Sequence, residues 1–127
     1  MGNGTSIGRV RALGSAHSGS HHWLVQRFTA VGNLLLGLFL AFSFMRMGDF
    51  GYASVHRWLH SPLAATLTGL FVASSFWHAR LGLQVLLEDY VKSSGNKFAL
   101  FALLNLLTFG GAGFALLSIV RIALGAA

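Results

Sequence analysis

The sequence predicts an all-α membrane protein with three membrane-spanning helices. Two observations about composition and one about pattern carry that prediction. Charged residues make up 9% of the chain, against about 25% in a typical soluble domain, so this chain has too little charge to cover a water-facing surface. Apolar residues make up 54%, and the mean hydropathy is +0.66. The apolar residues also fall into three stretches, each long enough to cross a hydrocarbon core of roughly 30 Å, which takes about 20 helical residues. The length of 127 residues suits one transmembrane domain, 1–127.

The N-terminal segment 1–23 is polar and rich in Gly and Ser. It is expected to be flexible or to lie on a partner. No cleavable signal peptide is expected, because the first apolar stretch starts late and is too long for one. That stretch, the first span, runs from about Leu24 or Phe28 to Met45. A polar link with His56, Arg57, Trp58 and His60 follows, read as an interfacial loop. The second span covers about 62–91. Pro62 suits the first helical turn, where its missing N–H would have no partner anyway, and Ser61 is a candidate cap. About 30 residues at 1.5 Å each give roughly 45 Å, more than the bilayer core needs. Arg80, Glu88 and Asp89 lie towards its end, so the C-terminal turns are expected to emerge from the membrane, with Arg80 snorkelling or meeting a partner. The composition of Lys92–Lys97 reads as a turn. The third span covers about 98–120. Small residues at Ala65, Gly69 and Ala73, and at Gly110, Gly111 and Gly113, allow close helix packing. No internal repeat is visible.

The chain has no cysteine, which excludes disulfides, thiolate metal sites and cysteine nucleophiles. Its formal charge of +6 rests on basic residues scattered along the chain, whereas a nucleic-acid binder clusters them on one face. The charge therefore reads as membrane topology. Arg9, Arg11, Arg27, Lys92 and Lys97 fall on one side of the membrane, and Arg46, Arg57 and Arg121 on the other. By the positive-inside rule the N-terminus is cytoplasmic and the C-terminus lies outside.

His78 is an ionisable residue inside the second span, which makes it a functional candidate. On a helical wheel Ser74, Ser75, His78, Gly82 and Asp89 fall within about 60° of one line. Gly82 would leave room beside His78 for a flat ligand, and the Gly69 stripe points the other way, so one face could pack helices while the other faces a cavity. A neutral imidazole in a dry site can ligate haem iron; equally, a buried His can simply bond a neighbouring helix. No facing His in this chain offers a second axial ligand, so a bis-His haem would need one from another chain. Glu88, Asp89 and Tyr90 lie up to 12 residues, roughly 18 Å, beyond His78. A Tyr hydroxyl can donate to a quinone carbonyl and a carboxylate can relay protons, while interfacial anchoring accounts for the same residues. Arg27 could meet an anionic group such as a haem propionate, or serve only as a positive-inside anchor.

Two strings carry a resemblance. His78-Ala-Arg-Leu-Gly-Leu-Gln-Val-Leu-Leu-Glu-Asp-Tyr-Val91 resembles the second helix of the small hydrophobic anchor subunit of succinate dehydrogenase, of the alphaproteobacterial and mitochondrial kind. His21-His-Trp-Leu-Val-Gln-Arg-Phe-Thr-Ala30 resembles the segment leading into the first helix of that family. The resemblance implies three helices packed against a cytochrome b556-type anchor subunit, together anchoring a flavoprotein subunit and an iron–sulfur subunit to a bacterial inner membrane. It implies that His78 is one axial ligand of a haem b shared with that partner, that Tyr90 hydrogen-bonds ubiquinone with Asp89 supporting the site, and that Arg27, with His21 or His22, approaches the haem propionates or the quinone pocket. The chain alone is not expected to be catalytic. A fumarate reductase anchor, a cofactor-free structural protein and a self-contained di-haem cytochrome are the competing readings.

Overall fold

A computed structural model of the chain describes residues 19–125. Among them lie three long apolar helices, α1 (Gly19–Met45), α3 (Pro62–Tyr90) and α4 (Ser94–Ala123), with a short helix, α2 (Tyr52–Leu59), between the first two. Each long helix is apolar and long enough to cross a membrane. Arg9, Arg11 and His17 lie outside the described residues.

The helix boundaries depart from the sequence reading in three places. α1 starts at Gly19, so Ser20 to Trp23 are helical rather than part of the polar segment. The Lys92–Lys97 turn shrinks to Val91–Ser93, because α4 begins at Ser94. Ser94, Gly95 and Asn96 form a first turn, where amide N–H groups have no helical partner in any case and weak helix formers are tolerated. The connection is held short by Lys97, whose ammonium donates to the Glu88 carbonyl at 3.2 Å. The loop around His56 is the third departure, since it is the helix α2. Asp49 starts that helix: one carboxylate oxygen accepts from the Gly51 N–H at 2.7 Å and the other from the Ser54 hydroxyl at 2.8 Å. These bonds, the Ser54 hydroxyl first, hold the Asp49 carboxyl below the ordinary carboxylate range.

The second span matches its expected limits, with Pro62 in the first turn. Ser61 occupies the cap position with extended backbone, but its hydroxyl makes no capping bond; its carbonyl accepts from the Ala65 N–H at 2.9 Å. The far end of α4 closes at Gly125, which has φ of 74°, the left-handed conformation that glycine adopts at little cost just past a helix.

The three long helices run antiparallel in a row, with α3 in the middle packed on both others, while the backbones of α1 and α4 stay apart. Such a layer encloses little. Only Leu40, Leu59, Ala64, Ala65, Leu81 and Thr108 are buried among the described residues. Gly32 lies against Ser74 and Gly37 against the Phe71 ring on the α1–α3 seam. On the other seam Gly69 meets Leu116, and Phe76 fills the space where a Gly111 side chain would be. Gly110 and Gly113 face open space instead, so of the three glycines only Gly111 serves packing within the chain.

Candidate functional site

The line of Ser74, Ser75, His78 and Gly82 is the face that α3 turns towards α1. It is therefore a helix-packing face in this chain. A cavity of about 550 Å³ lies on the opposite stripe, lined by Ala65, Gly69 and Ala73 of α3 together with Leu116 and Val120 of α4. Its lining is apolar apart from Thr66 and His60 at one end.

α1 answers the α3 line with a polar line of its own. His22, Gln26, Thr29 and Asn33 recur at four, three and four residues, which places them on one helical face. Ser75 donates to the Asn33 side-chain oxygen at 3.4 Å. The Thr29 Oγ1 lies 3.0 Å from His78 Nδ1 and also 2.9 Å from the Val25 carbonyl and 3.1 Å from the Gln26 carbonyl. A hydroxyl has one proton, and two backbone carbonyls already compete for it. With that proton on a carbonyl, the bond to His78 is an Nδ1–H donating to the Thr29 oxygen. In that tautomer Nε2 carries the free lone pair. The Nε2 is met only by the Gln26 amide nitrogen, at 3.5 Å, the outer limit of a hydrogen bond. The same amide tip is 3.7 Å from where a Gly82 side chain would begin.

Two atoms on this α1 line are buried without a hydrogen-bond partner, Gln26 Oε1 and His22 Nε2. Buried polar atoms are normally paired, so this end of the α1–α3 seam presents polar atoms that the described residues leave without a partner. His22 thus joins the His78 face, whereas His21 and Arg27 point outward and are exposed. Arg27 stacks over the Trp23 ring at 5.1 Å. Sequence reasoning missed Gln26, Thr29 and Asn33, although their helical spacing with His22 was visible.

Among the described residues no group of three or more His, Asp or Glu could hold a metal ion. The arrangement does fit a single axial haem ligand. A metal-bound His normally donates its other ring N–H to an oxygen acceptor; Thr29 stands where that acceptor would be, and Nε2 would then be the ligating atom. His56 and His60 have ring centroids 4.9 Å apart with the rings tilted at 60°, but they belong to the Pro62 end of the layer, far from His78.

Asp89 and Tyr90 close α3 at the other end, both exposed, with Tyr90 80% exposed. Glu88 accepts from the Gln84 side-chain amide at 2.9 Å. Among the described residues none joins Tyr90 to His78 and none walls the exposed Tyr90 ring.

Residues 1–113 match a family model described as succinate dehydrogenase/fumarate reductase transmembrane subunit. A succinate dehydrogenase hydrophobic membrane anchor subunit of Rickettsia bellii is 37% identical over 112 residues, covering 81% of this chain and 87% of the relative. The corresponding subunit of Coxiella burnetii is 27% identical over 96 residues, 76% of this chain and 84% of the relative. A succinate dehydrogenase membrane anchor subunit of Reclinomonas americana is 29% identical over 93 residues, 71% and 78% of the two chains.

Proposed function

The chain belongs to the transmembrane-subunit family of succinate dehydrogenases and fumarate reductases, and from that membership we propose that it anchors a succinate:ubiquinone oxidoreductase, helps bind haem b and forms part of the quinone-reduction site. The observation that carries the haem assignment is the bond between His78 Nδ1 and Thr29 at 3.0 Å, which leaves Nε2 to act as a ligand. His78 would hold the haem iron from this chain, and the cytochrome b subunit that partners it would supply the other ligand. Bound there, haem would supply one-electron redox chemistry. Thr29 holds the imidazole in tautomer and orientation. His22 and Gln26 bring unpartnered polar atoms to the same seam, and Arg27 lies a short way round α1 for an anionic group.

Tyr90 and Asp89 stand at the end of α3, about 18 Å from His78 along the helix. Tyr90 donates its hydroxyl to a ubiquinone carbonyl and Asp89 supports proton delivery, in a pocket closed by the iron–sulfur subunit. The flavoprotein subunit carries out the succinate chemistry, so this chain is not catalytic alone. The Tyr90 end faces the cytoplasm of a bacterial inner membrane, where the soluble subunits dock. All three relatives described above are named for succinate dehydrogenase, which favours succinate oxidation over the reverse, fumarate-reducing direction.

The cofactor-free reading draws on the Gln26 amide at His78 Nε2, which would make His78 a bond between helices and nothing more. Spectra of the purified complex separate the two. His78→Ala is expected to remove or strongly weaken the b-type signal in the reduced-minus-oxidised spectrum while the subunits still co-purify. Tyr90→Phe, which removes only a hydroxyl, is expected to lower quinone reduction about tenfold to a hundredfold with haem retained, as loss of one positioned donor does. An unchanged haem spectrum in the first variant removes His78 as ligand, and normal quinone kinetics in the second removes Tyr90.

A further inference from the structure

Arg80 carries a positive charge that no acidic side chain of this chain neutralises. It sits about 15 Å from the Tyr90 end of α3, on the side turned away from His78. Its Nε donates to the Asn105 side-chain oxygen at 2.7 Å, and the Asn105 amide donates in turn to the Phe101 carbonyl at 2.9 Å. The guanidinium lies over the Trp77 ring at 5.3 Å and the Phe109 ring at 5.9 Å. Trp77 is one turn deeper along α3 than Arg80, and Phe109 one turn deeper along α4 than Asn105. The head group is therefore drawn towards the middle of the span, not towards the lipid head groups. Its remaining N–H donors make no hydrogen bond to the described residues, while Trp77 and Phe109 are 40% and 57% exposed. A guanidinium stays charged in a protein, and a charge at this depth is found paired or facing protein, not lipid.

The chain's acidic side chains are Asp49, Glu88 and Asp89. Asp49 is bonded within the turn before α2. Glu88 and Asp89 lie two turns or more from Arg80, towards the end of the helix. No acidic side chain of this chain stands at Arg80's depth, so a second copy would bring another unpaired Arg80 and no counter-charge from a side chain. Beside the patch, Gly110 and Gly113 of α4 have nothing within 4 Å of where a side chain would begin, which lets another helix approach closely.

We propose that Arg80, with Trp77, Asn105 and Phe109, is the docking site for a transmembrane helix of a different chain that presents an Asp or Glu side chain at this depth. The surface is separate from the His78 seam, so the proposal stands or falls independently of haem. A photoreactive benzoylphenylalanine at Leu106, an exposed neighbour of Asn105, tests it in native membranes containing the whole complex. The expected result is a light-dependent adduct to a helix of another subunit that has a carboxylate within one turn of the cross-linked residue. Arg80→Gln should lower that adduct at least about tenfold, the effect of losing one desolvated ion pair. Arg80→Asp combined with Arg in place of the mapped acid should restore it, which separates lost pairing from misfolding. An adduct only to phospholipid, only to a second copy of this chain or to a helix without a carboxylate overturns the proposal, as does failure of the charge swap to restore the adduct.

Discussion

At the scale of single residues, the site depends on Thr29 as much as on His78. The Thr29 hydroxyl has backbone carbonyls one turn back to donate to, which frees its oxygen to accept from the imidazole. Thr29→Val keeps the shape and removes that acceptor. The expected outcome is a shift in His78 away from the Nδ1–H tautomer, read in the ¹⁵N spectrum of the chain, and a drop in haem affinity of about tenfold to a hundredfold, the usual cost of losing a ligand's supporting bond. Thr29→Ser should restore both, and an unchanged tautomer in the Val variant would show that Thr29 does not set it. His78 was legible in the sequence because an ionisable residue stands out in an apolar run. Thr29, Gln26 and Asn33 were not, since lone polar residues in a span carry no chemistry until the neighbouring helix is known. Whether His21 or His22 belongs to the site was likewise a matter of helical phase: once α1 extends back to Gly19, His22 falls on the Gln26 and Thr29 face.

At the scale of helices, existence and type were legible from apolar length alone, and the ends were less so. Polar residues at Ser20–Trp23 and Ser94–Lys97 look like loop by composition, yet a membrane helix continues into the head-group region, where polar side chains are solvated while the backbone remains helical. α2 was hidden for a different reason: eight residues are too few to show a clear period. Which small residues pack was not legible either, because spacing does not say which neighbour a face meets. Gly111 gives the sharpest test. A methyl group added there would stand 2.7 Å from a Phe76 ring carbon, closer than atoms pack, so Gly111→Ala should destabilise the α3–α4 pair by about 1–3 kcal/mol. Gly95→Ala, where nothing lies within 4 Å, should change stability by less than about 1 kcal/mol, the range of helix propensity. Thermal unfolding of both variants in detergent checks the contrast, and equal melting would mean that Phe76 moves aside freely.

At the scale of the whole molecule, a row of three helices with α3 touching both neighbours leaves each flank of the layer open. His78 serves the α1 side of α3 and Arg80 the α4 side, so the central helix carries a functional candidate towards each seam. Which way this layer faces decides whether Tyr90 can meet soluble subunits. The positive-inside rule places the Val91–Ser93 connection, beside Lys92 and Lys97, in the cytoplasm and the α1–α2 link, beside Arg46, outside. The bias is five basic residues against three, small enough to need a direct test, and the lack of any native cysteine makes that test clean. Ser93→Cys and Gly48→Cys place one thiol in each connection, and neither position has a packing role in the chain. In intact cells a membrane-impermeant maleimide should label Gly48→Cys and leave Ser93→Cys unmodified until the inner membrane is opened. The reverse pattern would put Tyr90 on the outer face, away from any cytoplasmic iron–sulfur subunit, and would remove the quinone role proposed for it while leaving the three-helix layer intact.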